Sequence, residues 1–276
     1  MRMSAPQDAG STWTGPRGRA STRTAPLPAA ALVIAAALLL AAAQVFAQPR
    51  AGALEQATGL AWAIPPGGTE RTLARGDALF EGDTVVTSAD GELLLRMVDD
   101  AVIAVRPNTR FTIARYHFTG RERATESASV LSLVRGALRT VTGVIGRQNP
   151  RGFQLGTTTS TIGVRGTDFE TIVLEEDTAQ AQAGTYQRVN SGATVVTDVK
   201  TGRSLEVGAG QVAFAALDVA ATVQGFGLLR NVPPIFRPGR YDNLLQATAD
   251  LLQQQLLRQA PSQLRQLLPS LPGLLR

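Results

Sequence analysis

The feature that most constrains this chain is the rhythm of its middle portion. Between about residues 59 and 215 the apolar residues come in short runs, each closed by Gly, Asp, Asn or Pro. Leu93, Leu95 and Met97, then Val102 to Val105, then Phe111 and Ile113 supply strand-length runs. Asp90-Gly91 and Arg106-Pro107-Asn108 lie between them, pairs that adopt turn dihedrals at low cost. Further runs follow at Val130 to Val134, Leu138 to Val144, Phe153 to Leu155, Thr161 to Val164, Phe169 to Leu174, Thr194 to Asp198 and Gln211 to Phe214. Many short strands without an intervening long helix predict a mainly β domain, sandwich-like, barrel-like or solenoid-like, rather than a parallel α/β fold. The polar stretch Tyr116 to Ser129 reads as a surface loop.

The N-terminus has a different texture. Ala29 to Ala43 is fifteen residues without a polar side chain, preceded by Arg2, Arg17, Arg19 and Arg23 and followed by Gln44, Val45, Phe46 and Ala47. As a helix the run would span roughly 22 Å at ~1.5 Å per residue, short of the ~30 Å hydrocarbon core. A basic start, a short apolar run and small residues at Val45 and Ala47 form the pattern of a secretory signal cleaved before Gln48. The alternative is an uncleaved membrane anchor.

Charge and composition then exclude several function classes. The formal charge is +5, but residues 1–47 hold four of the 27 basic side chains and one of the 22 acidic ones, so the remainder carries only about +2. With no interleaving of basic and aromatic residues, nucleic-acid binding is disfavoured. Cys is absent, and His117 is the single histidine. Disulfides, thiolate chemistry and Cys/His zinc sites are therefore excluded on ligand supply. His117 is read as structural or exposed rather than as a catalytic base. Lys200-Thr201 follows Val199, so no phosphate-binding P-loop is present. Asp99-Asp100 and Glu175-Glu176-Asp177 are the remaining carboxylate pairs, and adjacent acids between strand runs read as solvated turns. No catalytic, cofactor-binding or metal-ligating residue is expected.

One segment is specific. Phe153 to Phe169 ends in Gly163-Val164-Arg165-Gly166-Thr167-Asp168-Phe169. It resembles the signature of the FecR domain family, in which an apolar strand leads through Thr-Pro-x-Ala to Gly-Val-Arg-Gly-Thr-x-Phe. Upstream, Leu73, Gly76-Asp77, Gly82-Asp83, Thr87 and Gly91 are similar to the family's opening segment, and Gly136-Ala137-Leu138 and Gly208 to Gln211 to later anchors. Thr158 and Ser160 replace the usual Pro and Ala, and Asp100-Ala101 replaces Gly-Ser. The resemblance covers about residues 59–215. It implies a β-solenoid-like or β-sandwich-like domain in a non-enzymatic cell-envelope protein. Gly163, Val164, Arg165, Gly166, Thr167 and Phe169 are its signature, structural or in contact with a partner. Gly163 and Gly166 are expected to permit backbone conformations or close approach that a Cβ would block. Arg165 either bonds to carbonyls or an acid such as Asp168, or meets a partner.

The C-terminal part reads as helical. Leu244, Leu245, Thr248, Leu251, Leu252, Gln255 and Leu256 recur at three- and four-residue spacing, with Asp242 or Asn243 as N-cap and Pro233-Pro234 and Pro238-Gly239 before it. These leucines either pack back on the chain or form a partner or membrane-surface helix. The expected organisation is a signal peptide at 1–47, a lead-in at 48–58, the FecR-like β domain at 59–215, a Pro/Gly-containing linker at 216–239 and a Leu/Gln-rich helical tail at 240–276.

The family's best-known members regulate sigma factors from the cytoplasmic membrane, and the cytoplasmic anti-sigma domain they carry is not visible before residue 29. The expectation is an exported periplasmic binding or scaffold module whose partner is an unknown envelope protein or polymer. Membrane contact would come through an uncleaved N-terminal segment or the C-terminal helix. The alternative is a membrane-anchored regulator of transmembrane signalling, related to the iron-citrate sigma-factor regulators. The mass of the protein recovered from envelope fractions separates them. A chain beginning at Gln48 is expected, and an intact N-terminus in the membrane fraction would establish the anchor.

Overall fold

The computed structural model of the chain divides after Ala47, and the structure describes residues 48–218 and 225–259. The proposed signal segment and the leucines beyond residue 259 lie outside the described residues. The rest is mainly β, as the run pattern predicts. Fifteen strands form one continuous open sheet. They are β1 (Arg50–Thr58), β2 (Ala61–Ile64), β3 (Arg71–Thr72), β4 (Ala78–Phe80), β5 (Thr84–Thr87), β6 (Glu92–Met97), β7 (Val102–Val105), β8 (Arg110–His117), β9 (Ala128–Val141), β10 (Phe153–Gly156), β11 (Ser160–Leu174), β12 (Gly184–Asp198), β13 (Ser204–Gly208), β14 (Val212–Ala216) and β15 (Phe226–Leu229). A short helix, α1 (Val144–Gln148), follows β9, and a longer one, α2 (Asp242–Gln259), ends the described chain.

Three long strands fold this sheet over on itself. The first half of β9 pairs with β8 and, in parallel, with β10, whereas its second half pairs with β7 and β11. Strand β11 likewise pairs through Thr161–Ile162 with β10 and through Asp168–Val173 with β9. Strand β12 gives its N-terminal half to β14 and its C-terminal half to β13. One layer is thus β3, β2, β5, β8, the halves of β9, β11 and β12 nearest β10, and β13. The other is β4, β1, β6, β7, the remaining halves, β14 and β15. A common core lies between them, where Phe111, Ile113, Leu131, Leu133 and Leu155 meet Leu93, Leu95, Ile103, Leu138 and Phe169.

The bends fall at glycines in left-handed conformation, which a Cβ would strain. Gly136 bends β9 at φ 87°, and a Cβ there would stand 2.5 Å from Thr109 Cα. Gly166 at φ 60° and Gly192 at φ 83° occupy the bulge where β11 and β12 turn together. Pairs of runs that look separate in sequence are therefore single strands. Thr161–Val164 and Phe169–Leu174 are both β11, and Val130–Val134 and Leu138–Val141 are both β9.

The layers differ in burial. In β8 and the first half of β9, residues alternate between core and surface. In β7, β14 and the second halves of β9 and β11, nearly every residue is buried. Both faces of this second layer are covered. Its outer face takes Tyr241, Leu245, Ala249 and Leu252 against Leu94, Val102, Ala104 and Val141, and Ile235 and Phe236 against Ile172, Tyr186 and Phe214. The Pro/Gly-containing segment and α2 thus pack on the sheet, with Leu244 and Leu251 left facing outward.

That outer face also buries charge. Arg106 donates to Glu92 (2.9 Å), Glu170 (3.4 Å) and Asp242 at the start of α2 (2.6 Å). Arg139 holds Asp168 through Nε (3.1 Å) and Nη2 (2.7 Å), and reaches Gln246 (3.1 Å). Gly239 lies so close over Arg106 that a Cβ would fall on its Nη1. Burial pulls the Arg106 and Arg139 guanidiniums down, but their carboxylates outweigh it and hold both above the ordinary arginine value. Asp242 is held below the usual carboxylate range. Burial pushes it up, while the Gly239 amide, Arg106 and Arg139 together more than reverse that. Glu170 goes the other way, because burial exceeds what Arg106 returns.

The region read as a loop from Tyr116 to Ser129 is shorter than expected. Tyr116 is buried near the end of β8, Ala128 begins β9, and Arg121–Glu126 is a 3-10 turn. The Tyr116 hydroxyl donates to Asp99 Oδ1 at 2.6 Å. Burial, and then the Asp99 charge, raise the tyrosine well above its usual value and keep it a donor.

Gly136→Ala is expected to cost about 2–4 kcal/mol, from φ strain plus overlap. Gly163→Ala is expected to stay within about 1 kcal/mol, since a Cβ at Gly163 meets nothing within 4 Å. Chemical denaturation of the two variants checks both. For the charges, Asp242 stabilises above its unfolded pKa of about 3.9, and this is lost as pH falls through its lower folded value. The raised pKa of Glu170 destabilises the fold at neutral pH and ceases to do so as pH falls through its folded value. Glu170→Gln should therefore match or exceed wild-type stability by up to about 1 kcal/mol at pH 7, a difference that shrinks on acidification. Asp242→Asn should cost about 1–3 kcal/mol at pH 7. Urea midpoints measured from pH 7 down to about pH 2 distinguish these opposite slopes.

Candidate functional site

The signature segment sits at the bend of β11. Val164 and Phe169 point into the core, and the Phe169 ring meets Phe153 edge-on at 6.0 Å. Between them the chain bulges, and Thr167 ties the bulge down. Its hydroxyl donates to the Ala193 carbonyl at 2.7 Å, and its amide donates to Thr142 Oγ1 at 2.9 Å. The Thr142 amide returns a bond to the Thr167 carbonyl at 3.0 Å. Gly166 needs its left-handed φ, whereas Gly163 has an ordinary φ and free space around it. The steric demand expected at Gly163 is absent, because β11 is still straight there and bends three residues later.

Arg165 is exposed and makes no side-chain hydrogen bond or ion pair among the described residues. Asp168, weighed as its partner, is already satisfied by Arg139 and by Asn190 Nδ2 at 3.1 Å. A bulge separates Arg165 from Asp168, which leaves Arg165 exposed and Asp168 buried with Arg139. Arg165 instead lines a cleft of about 730 Å³ whose walls are the bend of β11 and β12, the end of β9 with α1, and the inward side of α2. Arg147 of α1, Asn190, Gln246 and Asp250 line it as well, with Val141, Ala249 and Leu252 as its apolar wall.

Arg147 is half-buried, and its Nη1 donates to the Thr142 carbonyl. It forms no ion pair among the described residues. Burial pulls its guanidinium below the ordinary arginine value, more than the charges of Asp99 and Asp100 restore. Asp250 accepts from Gln246 Nε2 at 3.0 Å. The cleft therefore presents two guanidiniums with unused donors, and both of its carboxylates already have partners.

The carboxylates singled out in the sequence lie elsewhere and apart. Asp99 is buried, and besides Tyr116 it accepts from the amides of Ala101 and Ile145, which seats α1. Asp100 occupies a left-handed turn position at φ 67°, where the family's usual residue is glycine, and pairs with the exposed Arg121. Asp tolerates that conformation better than most side chains. Glu175, Glu176 and Asp177 lie on an exposed turn, and His117 is exposed at the end of β8. Sequence reasoning missed Arg106, Arg139, Glu170 and Arg147. Arg139 and Glu170 had a visible signal, each a charge inside an apolar run, Leu138 to Val144 and Phe169 to Leu174.

Comparison with known proteins bears on this arrangement. Curated protein sequences return no match. Two solved structures of a candidate anti-sigma factor from Parabacteroides distasonis align at 14% and 15% identity, with TM-scores of 0.38 and 0.37. They cover 53% and 52% of this chain, which spans a little over half of theirs, 57% and 56%. A cell surface anchoring domain aligns over 22% of this chain and 80% of its own, at 26% identity and a TM-score of 0.22. Among the described residues no helix is long and apolar enough to cross a membrane. The family model described as FecR protein matches residues 83–202. That span runs from β5 through β12 and contains every bend and the whole signature, and over it the chain matches the FecR family.

Proposed function

We propose that the protein is a non-enzymatic FecR-type module of the cell envelope, exported to the periplasm, where it binds another envelope component through the cleft beside the signature bend. The observation that carries this reading is the state of Arg165. Val164, Thr167 and Phe169 are consumed by packing and hydrogen bonds, while Arg165 stands exposed and unpaired at the mouth of a concave site. An exposed guanidinium on a bend fixed from both sides is a contact group whose backbone is set before the partner arrives.

The non-enzymatic reading is supported by the match to the FecR family over residues 83–202 and by the fate of the carboxylates. Asp99 has both oxygens engaged by fold-stabilising donors, and Asp168 is held by Arg139 and Asn190. Periplasmic export rests on the N-terminal pattern alone, together with the envelope character of the FecR family.

Photo-crosslinking in intact cells tests the binding surface. A photoreactive residue at position 165 should give a defined adduct, and the same residue at exposed Glu206 on β13 should not. Equal adducts from both positions, or none from 165, would remove the cleft as the contact surface.

A further inference from the structure

We propose that the cleft between the bend of β11 and β12 and helix α2 binds the carboxylate or phosphate group of a small molecule, with Arg165 and Arg147 as its cationic contacts. The proposal rests on the reading of this cleft as the domain's binding surface and adds the class of ligand. Two arginines face the cleft without an ion-pair partner among the described residues. The two carboxylates that face it are already used, Asp168 by Arg139 and Asn190, and Asp250 by Gln246. The cleft thus has two guanidiniums with unused donors, and of its two carboxylates Asp168 is neutralised by Arg139 while Asp250 accepts from Gln246 and forms no ion pair with either guanidinium. A planar guanidinium matches the paired oxygens of a carboxylate or phosphate.

Arg147 strengthens the case because of where it is held. Its aliphatic stem packs at Gly166, where a Cβ would sit 3.5 Å from Arg147 Cγ, and its half-buried head donates to the Thr142 carbonyl and forms no ion pair among the described residues. A guanidinium withdrawn from water and left without a counter-ion is costly. An anion in the cleft would supply that counter-ion.

Size and shape favour a small molecule over a macromolecular surface. A volume of about 730 Å³ falls within the range of roughly 300–1,000 Å³ usual for small-molecule sites. Val141, Ala249 and Leu252 offer an apolar wall to the body of such a ligand, while the two arginines take its charged end.

The test is titration of the full-length protein with inorganic phosphate, pyrophosphate, succinate and glutarate, followed by calorimetry and by NMR of the arginine side chains, with sodium chloride at matched ionic strength as control. Saturable binding of at least one of these anions is expected. Arg165→Ala and Arg147→Lys should each weaken it by roughly tenfold or more, and Glu206→Gln should leave it unchanged. Unaltered thermal unfolding of Arg165→Ala ensures that loss of binding is not loss of fold. Absence of saturable binding by all four probes, affinity indifferent to both arginine variants, or equal effects from chloride would overturn the proposal. A crosslink at position 165 that persists when no anion binds would reject the ligand class and leave the binding module standing. Loss of both would reject the two together.

Discussion

Everything in this fold depends on three strands that belong to two layers at once. Strands β9, β11 and β12 leave one hydrogen-bonded neighbourhood and enter another within their own length. Such a change of partner needs a bend that does not break the ladder. Gly136, Gly166 and Gly192 supply the dihedrals, and Thr142 and Thr167 reconnect the backbone where the bulge leaves it unpaired. The signature of the family coincides with one of these bends. Val164, Gly166, Thr167 and Phe169 are thereby explained as the parts of a corner, and Arg165 is a side chain that the corner does not use.

A second layer buried on both faces poses an electrostatic problem. Its outer surface carries Arg106, Arg139, Asp168 and Glu170 under the C-terminal segment, where water cannot solvate them. Their mutual arrangement lets the charges remain, and Asp242 extends that arrangement to α2. Ion pairs of this kind add little net stability compared with well-packed apolar residues. Their value here is positional. A helix held only by Leu245, Ala249 and Leu252 could slide along the apolar stripe of the sheet, whereas one whose first carboxylate must meet two fixed guanidiniums has a single seat.

The β character and the signature were legible in the sequence because both are local. Turn dipeptides, short apolar runs and the Gly-Val-Arg-Gly-Thr word each occupy a few consecutive residues. The bends were not legible, because a bulge at Gly166-Thr167 resembles a turn unless the hydrogen-bond partners on either side are known. The first half of β12 was missed for a related reason. Arg188 and Asn190 look like surface residues, yet the outer face they occupy lies in part beneath the C-terminal segment, and Gln187, on the opposite face, is buried against Thr171. The buried ion pairs join residues far apart in the chain, as Arg106 and Asp242 are, and no spacing rule announces them. The stripe of leucines on α2 predicted a helix correctly but not its orientation, since Leu245 and Leu252 turn inward while Leu244 and Leu251 turn out.

The bent strands also bear on how the chain acquires its structure. Neither layer is a separable folding unit, because each borrows half of the same three strands from the other. The pairing that completes β9 joins residues near 105, 115, 155 and 170 in one neighbourhood, so long loops must close before the reward of the shared core arrives. Topologies dominated by distant contacts fold slowly. A chain delayed in this way stays extended for longer after synthesis, the condition in which a polypeptide threads most easily through a narrow pore.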